Sequence, residues 1–277
     1  MSKPLLCLSS WLRDTKEYAP FYRRFTKELR KRGEQWKLLE NTRDIWCRDF
    51  LPVYGTGGMP VEFRYEPAYL AGKDRYRSRP EEFLPELGIS PRFCDLKLDG
   101  GNLILHGGTA VVSDRVFSEN SDRDEKEIVE TIRTMLELDR LIIIPCDPSD
   151  IDMTGHADGM CRFIDDKHVL LNDFHPGSRD LKESIEKVLR DVSFEVIPLK
   201  VDSGYYKEND WLCAINFYES DQALYVPVLG TIYEEDVLQQ LERHFPSKEI
   251  VSIDSREIVK DGGALNCVSW EIFRRKR

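Results

Sequence analysis

The sequence predicts an α/β fold built from five similar units. Charged segments with apolar residues at helical spacing alternate with short apolar segments rich in β-branched residues, which is typical of α/β or α+β architecture. Five polar residues recur at intervals of 50, 57, 60 and 51 residues in a chain of 277, namely Asp49, Asp99, His156, Asn216 and Cys267. A ring of five units that each offer one loop to a shared centre would give this spacing. The alternative is a chance alignment of five chosen residues.

Apolar positions at helical spacing predict four amphipathic helices. They cover residues 21–32, 124–138, 181–189 and 234–244. Short apolar runs with turn-forming flanks predict seven strands. These lie at residues 103–105, 110–112, 141–145, 168–171, 194–199, 223–228 and 250–253. No low-complexity linker or shift in composition divides the chain, so we expect a single domain over residues 1–277.

The composition limits the partners that the protein can have. A net charge of −10 disfavours a nucleic-acid-binding face and mildly favours cationic partners. Seven cysteines are scattered singly, without a CxxC pair or a secretory leader, which indicates reduced thiols in the cytosol. No apolar stretch approaches the roughly 20 residues of a membrane-spanning helix. We expect a soluble, cytoplasmic protein without a nucleic-acid or membrane partner, and the sequence leaves open whether it forms a homo-oligomer.

Cys267 is the first candidate for chemistry. It follows Gly262 and Gly263 near the expected start of a strand, and glycines allow a substrate to approach the backbone closely. A thiol in that position can be presented to a ligand rather than packed away. The alternative is a buried cysteine that acts as a small hydrophobic side chain, as most free cysteines do.

The segment Gly155-His156-Ala157-Asp158 places an imidazole and a carboxylate two residues apart. In an extended segment, residues i and i+2 project to the same side, so we expect both groups to enter one space. A structural His–Asp pair in a turn is one alternative, and a metal pair is another. Because the chain has neither HExxH nor paired cysteines, we expect no metal and no cofactor.

Two further motifs supply carboxylates. Trp46-Cys47-Arg48-Asp49 places an aromatic side chain and an arginine close to an acid, and Asp99-Gly100-Gly101-Asn102 follows an acid with two glycines. Each has an ordinary interpretation, as a salt-bridged surface pair and as a turn respectively. Asn216 would ordinarily mark the end of a strand. Together, however, the motifs supply a thiol, an imidazole and three carboxylates. Attack on a guanidinium carbon needs anions that hold the cation, a thiolate nucleophile and a proton shuttle.

In this order, the motifs resemble those of the agmatine deiminase and peptidylarginine deiminase family of guanidino-group-modifying enzymes. The matches include WxRD ending at Asp49, the acid-Gly-Gly at Asp99, GHxD at residues 155–158 and the glycine-led Cys267. The resemblance runs from about residue 41 to residue 270. It implies the pentein fold, a five-bladed ββαβ propeller whose active site lies on the pseudo-fivefold axis.

The resemblance also implies roles for the candidate residues. Cys267 would attack the guanidinium carbon, and His156 would protonate the departing ammonia and then activate water. Asp49 and Asp158 would bind the guanidinium nitrogens through charge-assisted hydrogen bonds. Asp99 would either support His156 or contact the substrate. Trp46 and Asn216 are expected to contact or surround the substrate. Arg48 is expected to keep the neighbouring Asp49 ionised.

The implied function is cofactor-free hydrolysis of a small cationic guanidine to a ureido product and ammonia, through a covalent amidino-thioether. Agmatine or a related alkylguanidine is the leading substrate, and peptidyl-arginine is a second. The alternatives are an amidinotransferase that uses the same intermediate and a catalytically silent binding module. The chain departs from the agmatine deiminase pattern at two positions. Asn266 replaces a histidine before the nucleophile, and Asp99 replaces a glutamate.

Overall fold

The computed structural model describes residues 4–146 and 154–272. Within these ranges the chain forms fifteen strands, which we number in chain order. They are β1 (Leu5–Ser9), β2 (Trp36–Leu39), β3 (Val53–Tyr54), β4 (Pro60–Arg64), β5 (Arg92–Lys97), β6 (Leu103–His106), β7 (Thr109–Ser113), β8 (Arg140–Ile144), β9 (Cys161–Phe163), β10 (His168–Leu171), β11 (Glu195–Pro198), β12 (Tyr218–Glu219), β13 (Ala223–Val228), β14 (Glu249–Asp254) and β15 (Trp270–Ile272).

The described ranges also contain eight α-helices. They are α1 (Trp11–Asp14), α2 (Ala19–Lys31), α3 (Cys47–Phe50), α4 (Arg115–Glu119), α5 (Glu125–Leu136), α6 (Arg179–Asp191), α7 (Glu234–His244) and α8 (Arg256–Val259). None of the helices in residues 4–146 and 154–272 has the length and apolar character that crossing a membrane requires.

The strands form five three-stranded sheets with one shared topology. Their orders are β15-β1-β2, β3-β4-β5, β6-β7-β8, β9-β10-β11 and β12-β13-β14. In each sheet the middle strand pairs antiparallel with the first strand and parallel with the third. The predicted ring of five similar units is therefore confirmed.

A parallel pair needs a crossover connection, and four of the five units use a long helix for it. These helices are α2, α5, α6 and α7. The second unit instead crosses over through four 3₁₀ turns between β4 and β5. Its crossover contains Pro80 and Pro85 and a left-handed Gly88, which interrupt helical hydrogen bonding.

The helix α5 illustrates why the predicted helices form. The Asp124 side chain accepts hydrogen bonds from the N–H groups of Lys126 and Glu127, which caps the helix. Ile128, Ile132 and Leu136 recur every four residues and are fully buried against the sheet. The left-handed residue Glu137 ends the helix.

All four predicted helices and all seven predicted strands are present, with bounds that shift by a few residues. Eight strands were not predicted: β1, β2, β3, β4, β5, β9, β12 and β15. Several contain only two or three residues, too few to show an alternating pattern. The expected single domain over residues 1–277 extends beyond the described residues and stays a prediction.

The first strands of the five units, which we call the inner strands, surround one axis. They are β3, β6, β9, β12 and β15, and residues of all five line the same cavity of about 360 Å³. The first unit combines both ends of the chain, because β15 pairs with β1 with Ile272 opposite Leu5. This pairing closes the ring.

Candidate active site

Five connections meet at one end of the axis. Each runs from the third strand of one unit to the first strand of the next and contains a short helical turn. The first four turns are α3 and the 3₁₀ turns Gly100–Asn102, Ala157–Gly159 and Cys213–Ile215. In the fifth, the Val268 N–H donates to the Ala264 carbonyl at 3.2 Å and the Ser269 N–H to the Asn266 carbonyl at 3.0 Å. Each of the five regularly spaced polar residues of the sequence thus lies in one of these connections, shortly before the first strand of the next unit.

The thiol, the imidazole and the three carboxylates come together. All five side chains are buried, with exposures of 7% for Asp49, 3% for Asp99, 7% for His156, 2% for Asp158 and 8% for Cys267. The Cys267 Sγ lies 3.7 Å from Asp158 Oδ2. His156 lies between two acids, with Nε2 3.1 Å from Asp99 Oδ2 and Nδ1 3.6 Å from Asp49 Oδ1.

The GHxD segment differs from the extended geometry that we expected. His156 itself is extended, with φ −78° and ψ 136°, but the 3₁₀ turn Ala157–Gly159 follows directly. The turn is fixed from outside, because Asn102 Oδ1 accepts a hydrogen bond from the Ala157 N–H at 3.3 Å and Asn172 Nδ2 donates to the Gly159 carbonyl at 2.9 Å. The imidazole and carboxylate therefore share one site through a tight turn and not through strand alternation.

Gly101 lies at the centre of this group, although its sequence motif is also typical of an ordinary turn. A Cβ added there would lie 2.5 Å from Asp49 Oδ1, 2.8 Å from His156 Nδ1 and 3.4 Å from Asp158 Oδ2. Its N–H also donates to Asp49 Oδ1 at 3.2 Å. The sequence shows two glycines after Asp99, but it does not show why the second must be glycine. The reason is the close approach of Asp49, His156 and Asp158 in the folded protein.

Two asparagines hold the loop that carries the thiol. Asn216 Oδ1 accepts hydrogen bonds from the N–H groups of Asn266 at 3.1 Å and Cys267 at 3.3 Å, and lies 3.3 Å from the Cys267 Sγ. Asn266 Nδ2 donates to Asp158 Oδ2 at 2.6 Å, and Asn266 Oδ1 accepts from Arg162 Nη1 at 2.9 Å. Asn216, which we expected to contact substrate, thus uses its carbonyl oxygen to orient the thiol loop.

Trp46 stands beside the same loop. A Cβ on Gly263 would lie 2.4 Å from the Trp46 ring, so the glycine allows the indole to lie flat against the backbone. The Trp46 N–H donates to Asp44 Oδ1 at 3.0 Å. Asp44 was not recognised in the sequence, and burial raises its pKa to about 7.

The expected role of Arg48 is wrong. Arg48 lines the cavity on the ring axis, which we call the axial cavity, and its backbone N–H donates to the Cys267 carbonyl at 2.9 Å. The positive group that faces Asp49 is instead the His156 imidazole, which the motif WxRD does not include.

Burial and charge set the protonation of the free site. Burial raises the pKa of Asp49 well above its usual range, although the neighbouring His156 opposes this. Burial lowers the pKa of His156, but Asp49 and Asp99 more than offset it and raise the pKa to about 10. Burial also raises the pKa of the Cys267 thiol well above 9.0, and the charges of Asp158 and Asp49 raise it further. These shifts favour a neutral thiol and a protonated imidazole in the free site.

Within residues 4–146 and 154–272, no three His, Cys, Asp or Glu side chains are arranged to hold a metal ion. The chemistry that the described side chains can supply is nucleophilic attack by sulfur, proton transfer by the imidazole, and binding of a cation by carboxylates.

Sequence comparison gives a family for the chain. Residues 19–272 match the family model of the Porphyromonas-type peptidyl-arginine deiminases. A curated relative from Legionella pneumophila, provisionally named an agmatine deiminase, is 24% identical over 192 residues, which is 64% of this chain and 55% of the relative. A relative from Shewanella baltica with the same provisional name is 22% identical over 275 residues, which is 84% of this chain and 74% of the relative. The chain thus spans little more than half the length of the Legionella relative.

Solved structures give the fold. The C. jejuni agmatine deiminase is similar with a TM-score of 0.79 at 19% identity, covering 99% of this chain and 94% of that one. The dimethylarginine dimethylaminohydrolase from Pseudomonas aeruginosa gives a TM-score of 0.63 at 11% identity, covering 98% of this chain and 100% of that one. Both likenesses confirm the predicted pentein fold. Because the family model covers nearly the whole described chain, the protein belongs to the Porphyromonas-type peptidyl-arginine deiminase family of guanidino-modifying hydrolases.

Proposed function

We propose that the protein is a cysteine-dependent deiminase that hydrolyses a substituted guanidine to a ureido product and ammonia. The observation that carries the proposal is the assembly of the Cys267 thiol, the His156 imidazole and the carboxylates of Asp49 and Asp158 in one buried site. Gly101 borders three of these groups and leaves room at the point where they meet.

Substrate binding uses the two acids. The guanidinium N–H groups donate to Asp49 and Asp158, which fixes a planar cation and biases its delocalised charge toward the bound nitrogens. Asp158 Oδ2 lies 3.7 Å from the Cys267 Sγ, so a guanidinium held by Asp158 has its carbon close to sulfur. Such orientation can contribute up to roughly 7–11 kcal/mol to lowering a reaction barrier.

The substrate also activates the nucleophile. In the free site, burial and the neighbouring carboxyl groups of Asp158 and Asp49 raise the pKa of the Cys267 thiol and favour its protonated form. A bound cation offsets the charge of those carboxylates and places a positive charge beside the sulfur, which lowers the thiol pKa, so the thiol loses its proton to water and becomes a thiolate. The enzyme therefore becomes reactive when its substrate is present, and the thiol is protected from other electrophiles when it is absent.

The reaction then has two halves. The thiolate adds to the guanidinium carbon, and His156 donates its proton to the departing nitrogen. Ammonia then leaves, and the amidino group remains bound to the Cys267 sulfur as a thioether. The imidazole is now neutral and accepts a proton from water, whose oxygen adds to the same carbon. The carbon–sulfur bond breaks, the added hydroxyl gives its proton to the sulfur, and the ureido product leaves with the neutral thiol of the free site restored. Asp99, 3.1 Å from His156 Nε2, orients the imidazole and stabilises its charged form.

The substrate class is a small cationic guanidine, with agmatine first and peptidyl-arginine second. The named relatives support this order, since both are provisionally called agmatine deiminases. A C. jejuni agmatine deiminase in which a cysteine is replaced by serine has been solved with substrate bound, at 18% identity to this chain.

The test is ammonia release by purified protein against agmatine, arginine, a blocked arginine peptide and methylated guanidines. Cys267→Ser is expected to abolish release, because a hydroxyl is a far weaker nucleophile at neutral pH. The matched control is Cys94→Ser, since Cys94 is also buried but lies in β5, outside the site. Release that persists in Cys267→Ser would overturn the mechanism. If the wild type releases no ammonia from any of these substrates, amidino transfer is favoured, and adding amine acceptors tests it next.

A further inference from the structure

The axial cavity is separate from the candidate active site. Its lining contains residues of all five inner strands but none of the thiol, the imidazole or the three carboxylates of the site. The only residue of the thiol loop that lines it is Asn266, whose amide donates to Asp158 on one side and accepts from Arg162 on the other. Asn266 is therefore part of the wall between the two spaces.

Two arginines face this cavity with most of their hydrogen-bonding capacity unused. A guanidinium carries five N–H donors. Arg162 donates to Asn266 Oδ1 and lies over the Phe217 ring, 4.7 Å from its centroid. Arg48 has a buried Nε without a hydrogen-bond partner. Within the described residues neither guanidinium forms a direct ion pair, although the charge of Glu219 acts on Arg162 and the charge of Arg48 acts on Glu271.

The acids of the same cavity, in contrast, have partners. Glu219 forms an ion pair with Lys248 Nζ at 2.9 Å, and Glu271 accepts a hydrogen bond from the Tyr218 hydroxyl at 2.8 Å. The hydrogen-bond donors left without a partner in the cavity are therefore those of the two guanidinium groups. Leaving charged donors out of water without partners is costly, and an anion between the two guanidinium groups would remove that cost.

The walls indicate what kind of anion fits. A volume of about 360 Å³ exceeds the size of a simple inorganic ion, and much of the surface is apolar or aromatic, including Val53, Tyr54, Phe163 and Trp270. The nearby Glu219 and Glu271 disfavour a multiply charged ligand. A guanidinium fork matches a carboxylate through two parallel hydrogen bonds. We infer that the axial cavity binds a small organic carboxylate, with the anion held by Arg48 and Arg162 and its apolar body against the aromatic walls.

The probe for this site is benzoate, titrated into the purified protein by calorimetry at low salt. We expect saturable binding of one benzoate per chain. Arg48→Gln and Arg162→Gln should each weaken it at least about tenfold, because each removes a charge-assisted pair. The control Arg256→Gln should leave it unchanged, since Arg256 is two-thirds exposed and pairs with Asp254. Binding should also survive Cys267→Ser and alkylation of Cys267.

A second variant keeps the test decisive if either glutamine substitution prevents folding. Leu105 lines the cavity without contributing charge, so Leu105→Phe reduces the volume while both arginines remain. We expect it to weaken benzoate binding as well. The inference is overturned if benzoate shows no saturable binding, if binding is insensitive to both arginines and to Leu105, or if alkylation of Cys267 abolishes it and so places the ligand in the active site.

Discussion

The Asn266 side chain connects Asp158, the acid proposed to bind substrate, to the interior of the ring. Its amide nitrogen lies 2.6 Å from Asp158 Oδ2, and its amide oxygen lies 2.9 Å from Arg162 Nη1. The first bond occupies one oxygen of Asp158 and leaves the other for a guanidinium. The polar bond to Arg162 fixes which way the amide faces. A residue that departs from the related motifs thus has a defined positioning role.

Removing this amide should impair substrate binding and turnover together. In Asn266→Ala, Asp158 loses its orienting donor, and a hydrogen bond to a charged group is worth about 1.5–3 kcal/mol. We expect kcat/KM for agmatine to fall roughly 10- to 100-fold, with KM raised and kcat lowered. Asn209→Ala is the control, because the Asn209 amide bonds only the Tyr205 carbonyl, away from the thiol. An unchanged KM would contradict the positioning role.

The pH dependence of thiol reactivity tests the protonation of the free site. Because burial and neighbouring anions raise the pKa of Cys267 above 9.0, its thiolate fraction at neutral pH is smaller than that of an ordinary cysteine. We expect alkylation of Cys267 by iodoacetamide, followed by mass spectrometry of its peptide, to be slow at neutral pH and still rising above pH 9. An unreactive guanidinium ligand, if it leaves the thiol accessible, should shift the curve to lower pH. A plateau below pH 8 without ligand would contradict this protonation.

The structure brings together the five residues that the motifs single out, and their catalytic roles stay predictions. Cys267, His156, Asp49, Asp158 and Asp99 are recognisable because their chemistry is coherent and their motifs are ordered along the chain. Gly101 and Asn216 act through contacts with residues 50 or more positions away, and no local pattern encodes such contacts. Arg48 was misjudged because sequence adjacency to Asp49 does not give the direction of its side chain.

The helical turns before the inner strands are the elements that build the site. The turn Gly100–Asn102 lies against α3, and a Cβ on Gly101 would overlap groups from two other connections. The turn Ala157–Gly159 ends on Gly159, where a Cβ would meet no atom within 4 Å. The two glycines therefore provide a matched pair in similar turns with opposite steric surroundings.

Gly101→Ala should damage activity much more than Gly159→Ala. The added methyl forces Asp49 and His156 apart, and overpacking of this kind typically costs about 1–3 kcal/mol. We expect at least a tenfold loss of kcat/KM in Gly101→Ala with the protein still folded by circular dichroism. Gly159→Ala should remain close to wild type. Equal activity of the two variants would show that the space beside Gly101 is not the substrate site.

Elements were predictable where local forces determine them. α7 matches its predicted range because apolar spacing defines it over three turns, and α5 adds a clear cap at Asp124. The inner strands β3, β9, β12 and β15 were missed because their two or three residues are held by tertiary packing. The 3₁₀ turn after His156 was also missed, since Asn102 and Asn172 fix it from distant parts of the chain.

At the scale of the whole molecule, ring closure joins the two ends of the chain. β15 pairs with β1, and Trp270 of β15 reaches across to the second unit. Its Nε1 donates to the Pro52 carbonyl at 2.7 Å, and its ring stacks on Tyr54 with centroids 5.8 Å apart. The five-unit spacing in the sequence predicted a ring, but neither the axial cavity nor the strands that line it could be inferred from spacing alone.

Truncation of Trp270 should weaken the closure. Trp270→Ala removes a side chain that is only 2% exposed, and such changes typically cost about 3–5 kcal/mol of unfolding free energy. Trp270→Phe keeps most of the packing and loses the hydrogen bond, which is worth about 0.5–1.5 kcal/mol. Urea unfolding monitored by circular dichroism measures both. A smaller loss for Trp270→Ala than for Trp270→Phe would contradict the proposed contribution of packing.

The covalent intermediate is the most direct test of the central claim. Protein mixed with agmatine is quenched in acid during turnover and analysed by mass spectrometry as intact protein and as peptides. We expect a species heavier than the free protein by the mass of the substrate less one ammonia, located on the peptide that contains Cys267 and absent from Cys267→Ser. Continued ammonia release with no adduct on Cys267, or with the adduct on another cysteine, would contradict the mechanism.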